Sequence, residues 1–170
     1  GSEYGDRRAQ CEQGAAFFAA RNPDIRALRD VSLELFEKCE SELPDTVARR
    51  SRFIIEENAR VDALAAALDR DDRPTIQNIM NASFEGARDL FEISVPAMQY
   101  MMDAMSAAPG CVGCRQAGAG FGGCLVAIVE KDQVDAFCRS TAEHYEKASG
   151  LVPEVYAIRT TAGAGQLDIG

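Results

Sequence analysis

The sequence predicts an α+β fold, in which a small antiparallel, ferredoxin-like sheet packs with a helical layer. Two observations predict it. Apolar residues recur at helical spacing through the first two thirds of the chain. Beyond Pro109-Gly110 the pattern changes to strand, glycine-rich loop, strand, helix and strand. At 170 residues, 46% of them hydrophobic, the chain is long enough to bury one core. We therefore expect residues 1–110 to be mostly helical and residues 111–170 to form the strand–loop–strand–helix–strand unit, together one domain.

Each element has a local reason. Residues from about 6 to 20 form an amphipathic stretch that the Asn22-Pro23 turn ends, and Gly1 and Ser2 carry no weight as fold evidence. Ser32 suits an N-cap for a short helix to Leu43, with Leu33, Phe36 and Cys39 on one face. Pro44 opens a long helix whose stripe is Phe53, Ile54, Val61, Leu64, Ala65 and Leu68. Asp71-Asp72 and Pro74 open the next, with Ile76, Ile79, Met80, Phe84, Ala87 and Phe91 facing inward. Ser94 is expected to cap a further helix starting at Pro96.

The second part should hold strands at 112–117 and 125–129, the latter β-branched and buried on both faces. Asp132 should cap a helix with Val134, Phe137, Cys138 and Tyr145 inward, and Gly150 should stop it. Residues 155–158, after Pro153, read as a last strand, followed by a small, flexible tail at Ala162–Gly165. Three strands make a thin sheet. A fourth is expected either near Glu3-Tyr4 or in sequence that the chain lacks.

Composition excludes several functions. Acidic residues outnumber basic ones 27 to 18, a net charge of −9, which is wrong for a nucleic-acid surface. No apolar stretch is long enough to span a bilayer, and the N-terminus does not read as a signal peptide. The expectation is a cytoplasmic protein whose six cysteines stay reduced.

Few segments carry chemistry. Gly118, Ala119, Gly120, Phe121, Gly122 and Gly123 allow positive φ and close approach of a ligand, or else form a structural bend. No Lys-Ser/Thr follows, so this is not a Walker loop. Cys111 and Cys114 have the spacing of half a zinc site, but four ligands cannot be assembled and no metal is expected. Met98, Met101, Met102 and Met105 recur at helical spacing and read as core. Arg49, Arg50 and Arg52 read as a solvated face beside Asp45 and Glu56. His144 pairs with no nucleophile, and spacing singles out no carboxylate pair.

A resemblance covers nearly the whole chain, in order. Gln116-Ala117-Gly118-Ala119-Gly120-Phe121-Gly122-Gly123-Cys124 resembles the third conserved motif of the GHMP kinases in its galactokinase form. Ser2-Glu3-Tyr4-Gly5-Asp6-Arg7-Arg8 with Cys11-Glu12, and Arg49-Arg50-Ser51-Arg52 with Glu57-Asn58, resemble further segments of that family. So do Met80-Asn81-Ala82-Ser83, Arg88-Asp89, Phe91-Glu92-Ile93-Ser94 before Pro96, Pro153-Glu154-Val155 and Gly163-Ala164.

The resemblance implies the C-terminal part of an enzyme that moves the ATP γ-phosphoryl group to the C1 hydroxyl of galactose, with Mg²⁺. Tyr4 then matches the sugar-contacting tyrosine, and Gly118 to Gly123 the loop beside the phosphates. The catalytic base, its neighbouring arginine and the main phosphate loop belong to an N-terminal half, so no catalytic residue is expected here and the chain alone should be inactive. Partners implied are galactose or a related sugar, ATP, that N-terminal half, and a second copy over any exposed apolar face. Departures are Ala117 where the family has Thr, Phe53 and Phe84 where histidine is common, and Ala97 and Gln99 for carboxylates. They motivate an alternative: a non-catalytic sugar- or nucleotide-binding module on the same fold.

Overall fold

A computed structural model describes residues 2–161, 163 and 165. The helices are α1 (Glu3–Ala19), α2 (Leu33–Cys39), α3 (Asp45–Asp69), α4 (Arg73–Asp89), α5 (Pro96–Ser106) and α6 (Val134–Ser149). Between α5 and α6 lie β1 (Cys111–Gln116) and β2 (Leu125–Val129), paired antiparallel. The expected α+β class holds, with a sheet of two strands among the described residues.

Caps explain several boundaries. The Ser2 hydroxyl accepts from the Gly5 N–H at 3.2 Å, and Glu3 and Asp6 lie in the first turn of α1. Glu3-Tyr4 is therefore helical, which removes the site proposed for a fourth strand and gives Ser2 a structural role. Ser32 caps α2 through Leu35 N–H, and Asp72 caps α4 through Thr75 N–H, as the sequence predicts. Gly150 ends α6 in the left-handed region at φ +71°. Two expected caps are displaced by one residue: Val95 precedes α5 and Gln133 precedes α6, neither with a side-chain cap bond. The Ser94 Oγ is buried without a partner instead. Helix α2 tightens after Cys39 into a 3₁₀ turn, Glu40–Glu42.

The helical layer has its own core, where Phe18 and Phe36 are wholly buried and pack with Leu28, Val47 and Ile55. Burying such a side chain contributes about 1.5–3 kcal/mol. Helix α4 joins this layer to the sheet, with Ile76 and Met80 against Ala67 of α3 and partly buried Val112 and Ile128 of the strands. On the other side Met102, Met105, Cys114 and Phe137 form a core between α5, β1 and α6. Met98, Met102 and Met105 are buried, so the methionine stripe is packing. Val61 and Leu68 fall outside it: both face solvent, because α4 covers the opposite side of α3 through Leu64 and Ala67.

The sheet differs most from expectation. Its register pairs Cys114 with Ala127 and Gln116 with Leu125, with an irregularity between Cys111 and Gly113. Strand β2 is not buried on both faces, since Val126 is 43% exposed. Residues 155–158 form no strand. Their composition suits one, but β structure exists only as pairs, and among the described residues they pair with no strand. Ala162 and Ala164 of the expected flexible tail, the second also in the Gly163-Ala164 resemblance, lie outside the described residues.

Candidate functional site

The glycine loop closes the β1–β2 hairpin. Ala117 N–H donates to the Cys124 carbonyl at 2.9 Å, and the residues between them bulge out. Gly118, Gly120, Gly122 and Gly123 have φ of +88°, +83°, +120° and +100°. Only glycine adopts such angles freely, so the density of glycine is a backbone requirement. The loop is anchored at its centre and open elsewhere. A Cβ on Gly120 would lie 2.5 Å from Ile93 Cβ, whereas one on Gly118, Gly122 or Gly123 would meet nothing within 4 Å.

Phe121 sits beside Gly120 at φ +59°, rare for a residue with a side chain. Its N–H donates to the Ile93 carbonyl at 2.6 Å, and the Arg7 guanidinium stands 5.7 Å from its ring centroid. Both contacts hold the loop against the chain between α4 and α5. That segment is itself held from α1 and α3. Arg7 Nε donates to the Phe91 carbonyl at 2.6 Å and its second nitrogen to the Glu92 carbonyl at 3.0 Å.

The loop, α1 and α3 enclose a cleft of about 350 Å³. Tyr4 and Arg7 reach it from α1, Phe53 and Glu57 from α3, and Arg115 and Gln116 from β1; Gly118, Ala119 and Phe121 form the loop's side. Tyr4 and three of the six loop residues named from sequence thus line one cavity. Gly120 is turned onto Ile93, and Gly122 and Gly123 do not line it.

Glu57 is tied down by Ser83 Oγ at 2.6 Å, Arg60 Nε at 2.7 Å and Arg115 at 3.1 Å. With its oxygens so occupied, it anchors Arg115 and is not placed to take a proton. Arg7, Arg8 and Arg115 around one Glu57 give the cleft a positive balance in a chain of net charge −9. Arg8 is offset by Glu12, 2.9 Å away. The Gln116 Oε1 is buried without a hydrogen-bond partner.

The arginine cluster of α3 is not a solvated face. Arg50 is 2% exposed, donates to Gln10 Oε1 at 3.1 Å and to the Leu90 carbonyl, and pairs with Glu92 at 2.6 Å. Arg49 also pairs with Glu92, and Arg52 with Glu40 and Glu56. The signal was available: Arg50 is three residues from Val47 and from Phe53, on the apolar stripe itself. The Arg50 guanidinium, with Arg49, holds the Glu92 carboxyl below its ordinary range against the cost of burial.

The other sequence candidates stand apart. All six cysteines are free, and no three His, Cys, Asp or Glu side chains converge on a metal position among the described residues. A hydrogen bond to Cys114 and burial push the Cys111 thiol up, while bonds to Cys111 and Ser106 hold Cys114 down at about 7. His144 is exposed on α6, its Nδ1 2.7 Å from the Ser140 carbonyl oxygen, and lines no part of the cleft. Phe53 lines the cleft and stacks on Phe91 at 4.9 Å, whereas Phe84 is core.

Comparisons with known proteins bear on the family and the fold. Residues 64–147 match the family described as GHMP kinases C terminal. A Lactococcus lactis galactokinase solved in complex with galactose superposes with a TM-score of 0.82 at 27% identity, over 89% of this chain. The match covers 39% of that galactokinase, so this chain spans about two fifths of its length. The fold and the family match agree, and residues 64–147 of the chain carry a GHMP-kinase C-terminal domain.

Proposed function

We propose that the chain is the sugar- and phosphate-facing C-terminal part of a galactokinase-like enzyme, which transfers the ATP γ-phosphoryl group to the C1 hydroxyl of galactose. One observation carries the reading: Tyr4 and the open end of the glycine loop line the same cleft, under Arg7 and Arg115. Phosphoryl transfer needs positioning and charge neutralisation more than covalent help from the protein.

The residues fit parts of that task. Tyr4 offers a phenolic hydroxyl to a sugar hydroxyl, and the Phe53–Phe91 pair gives an apolar wall for a ring face. Gly118, at φ +88° with free space above it, lets the backbone approach an anion closely. ATP supplies the transferred group and Mg²⁺ neutralises its charge. These residues fit a phosphate chain, but they do not fit a Mg²⁺ cage, since no carboxylate trio converges among those described. The metal ligands, the catalytic base and the main phosphate loop would come from sequence outside this chain.

The test is an ADP-release assay on a polypeptide carrying this chain together with an N-terminal kinase half. We expect Mg·ATP-dependent phosphorylation of galactose. Tyr4→Phe should raise the KM for the sugar roughly 2–10-fold, the worth of one hydrogen bond, with a smaller change in kcat. Absence of transfer, or indifference to Tyr4→Phe, overturns the assignment. Phe53 in the cleft and Ala117, between the cleft-lining Gln116 and Gly118, favour a second reading, a non-catalytic sugar- or nucleotide-binding module; saturable binding of galactose or ATP without turnover selects it.

A further inference from the structure

We propose that Glu92 is the positioning residue of the glycine loop: clamped by Arg7, Arg49 and Arg50, it fixes the left-handed turn that presents Ile93 to Gly120 and Phe121. The inference rests on the reading that this loop faces the ligand.

Glu92 adopts φ +55°, a conformation unfavourable for a residue with a side chain that persists only when its surroundings impose it. Here they do. One carboxylate oxygen is paired with Arg49 and the other with Arg50, while Arg7 donates to the Glu92 carbonyl and stands 3.9 Å from the oxygen that Arg50 holds. The residues on either side are pinned too. Arg50 donates to Leu90 O, Arg7 to Phe91 O, and Ile93 N–H to Ala87 O at 3.0 Å. Between α4 and α5, then, α1 and α3 hold Leu90, Phe91 and Glu92 through three guanidinium groups, and the Ala87 carbonyl of α4 holds Ile93.

What this turn carries is the loop. Ile93 O receives the Phe121 N–H, and the same atom with Ile93 Cβ forms the floor on which Gly120 sits. Arg7 contacts both partners, bonding the turn and facing the Phe121 ring. Glu92 is not among the residues lining the cleft. Its effect on a ligand would pass through where Ile93 holds the loop.

Amide hydrogen exchange on the purified chain tests this, with two N–H groups at opposite ends of the dependence. Phe121 N–H is bonded to Ile93 O, and Ala117 N–H is bonded within the hairpin to Cys124 O. In Glu92→Gln the Phe121 amide should lose roughly fivefold or more of its protection while Ala117 keeps its own, and Glu92→Asp should restore part of the loss. If Glu92→Gln leaves Arg50 stranded and the chain unfolded, Arg7→Lys carries the same test. It removes the forked donation to Phe91 O and Glu92 O and should loosen Phe121 selectively. Unchanged Phe121 protection overturns the proposal, and so does parallel loss at Phe121 and Ala117, the signature of a merely structural role. Because exchange needs no ligand, the outcome is independent of whether galactose proves to be the substrate. If it does, Glu92→Gln in the active polypeptide should raise KM more than it lowers kcat.

Discussion

At the scale of single residues, the six-residue loop divides into positions that touch protein and positions that touch nothing. Gly120 belongs to the first kind. A methyl there would stand 2.6 Å from Ile93 O as well as 2.5 Å from its Cβ, at φ +83°. Gly122 belongs to the second, with φ +120° but no neighbour within 4 Å. Gly122→Ala should therefore cost only backbone strain, about 1–2 kcal/mol. Gly120→Ala adds a clash with packed backbone and should cost roughly 2–4 kcal/mol in all. Urea unfolding of the two variants measures the difference, and equal losses would refute the division. The sequence shows the loop as a run of glycines, yet the two roles cannot be told apart there, because what distinguishes them is Ile93, more than twenty residues away.

At the scale of elements, what was legible followed from local chemistry. Helix α4 could be read from Asp72 and its spaced apolar residues, since cap and stripe both act within a few residues. The long-range parts were hidden. Residues 155–158 have strand composition without a strand to pair with, and Arg50 looks like surface charge until Glu92 folds over it. Capping also makes α4 sensitive to acid. The Thr75 hydroxyl and N–H hold the Asp72 carboxyl below its ordinary value. A depressed folded pKa contributes stability that is complete above the unfolded value near 4 and lost as pH falls through the folded one. Asp72→Asn keeps an acceptor at the cap but cannot titrate, so its thermal midpoint should fall less steeply than that of the wild type between pH 5 and pH 3. Asp72→Ala should lie lower at neutral pH as well. Circular dichroism melts across that range decide it; parallel curves for Asp72→Asn and the wild type would remove Asp72 from the account.

At the scale of the whole molecule, charge and apolar exposure pull in opposite directions. The chain leaves Leu151, Val152, Tyr156 and Ile158 between 54% and 83% exposed, and Val126 of β2 at 43%. Strand β2 has one hydrogen-bonded neighbour, so its outer edge is unpaired among the described residues. Apolar surface of this extent and an open strand edge both favour association, whereas a net charge of −9 keeps identical copies apart. Salt separates the two forces. Raising it shortens the screening length from about 30 Å at 0.01 M to about 8 Å at 0.15 M, which weakens the repulsion and leaves the apolar term in place. The chain should therefore be monomeric in dilute buffer and self-associate as salt and protein concentration rise, the reverse of a dimer held by ion pairs. Sedimentation velocity at two salt concentrations reads this directly. Val152→Glu with Ile158→Glu should abolish the association while leaving the cores intact, since both side chains lie on the surface. A monomer under every condition would show that repulsion prevails even when screened, and would refute residues 151–158 as a self-association surface.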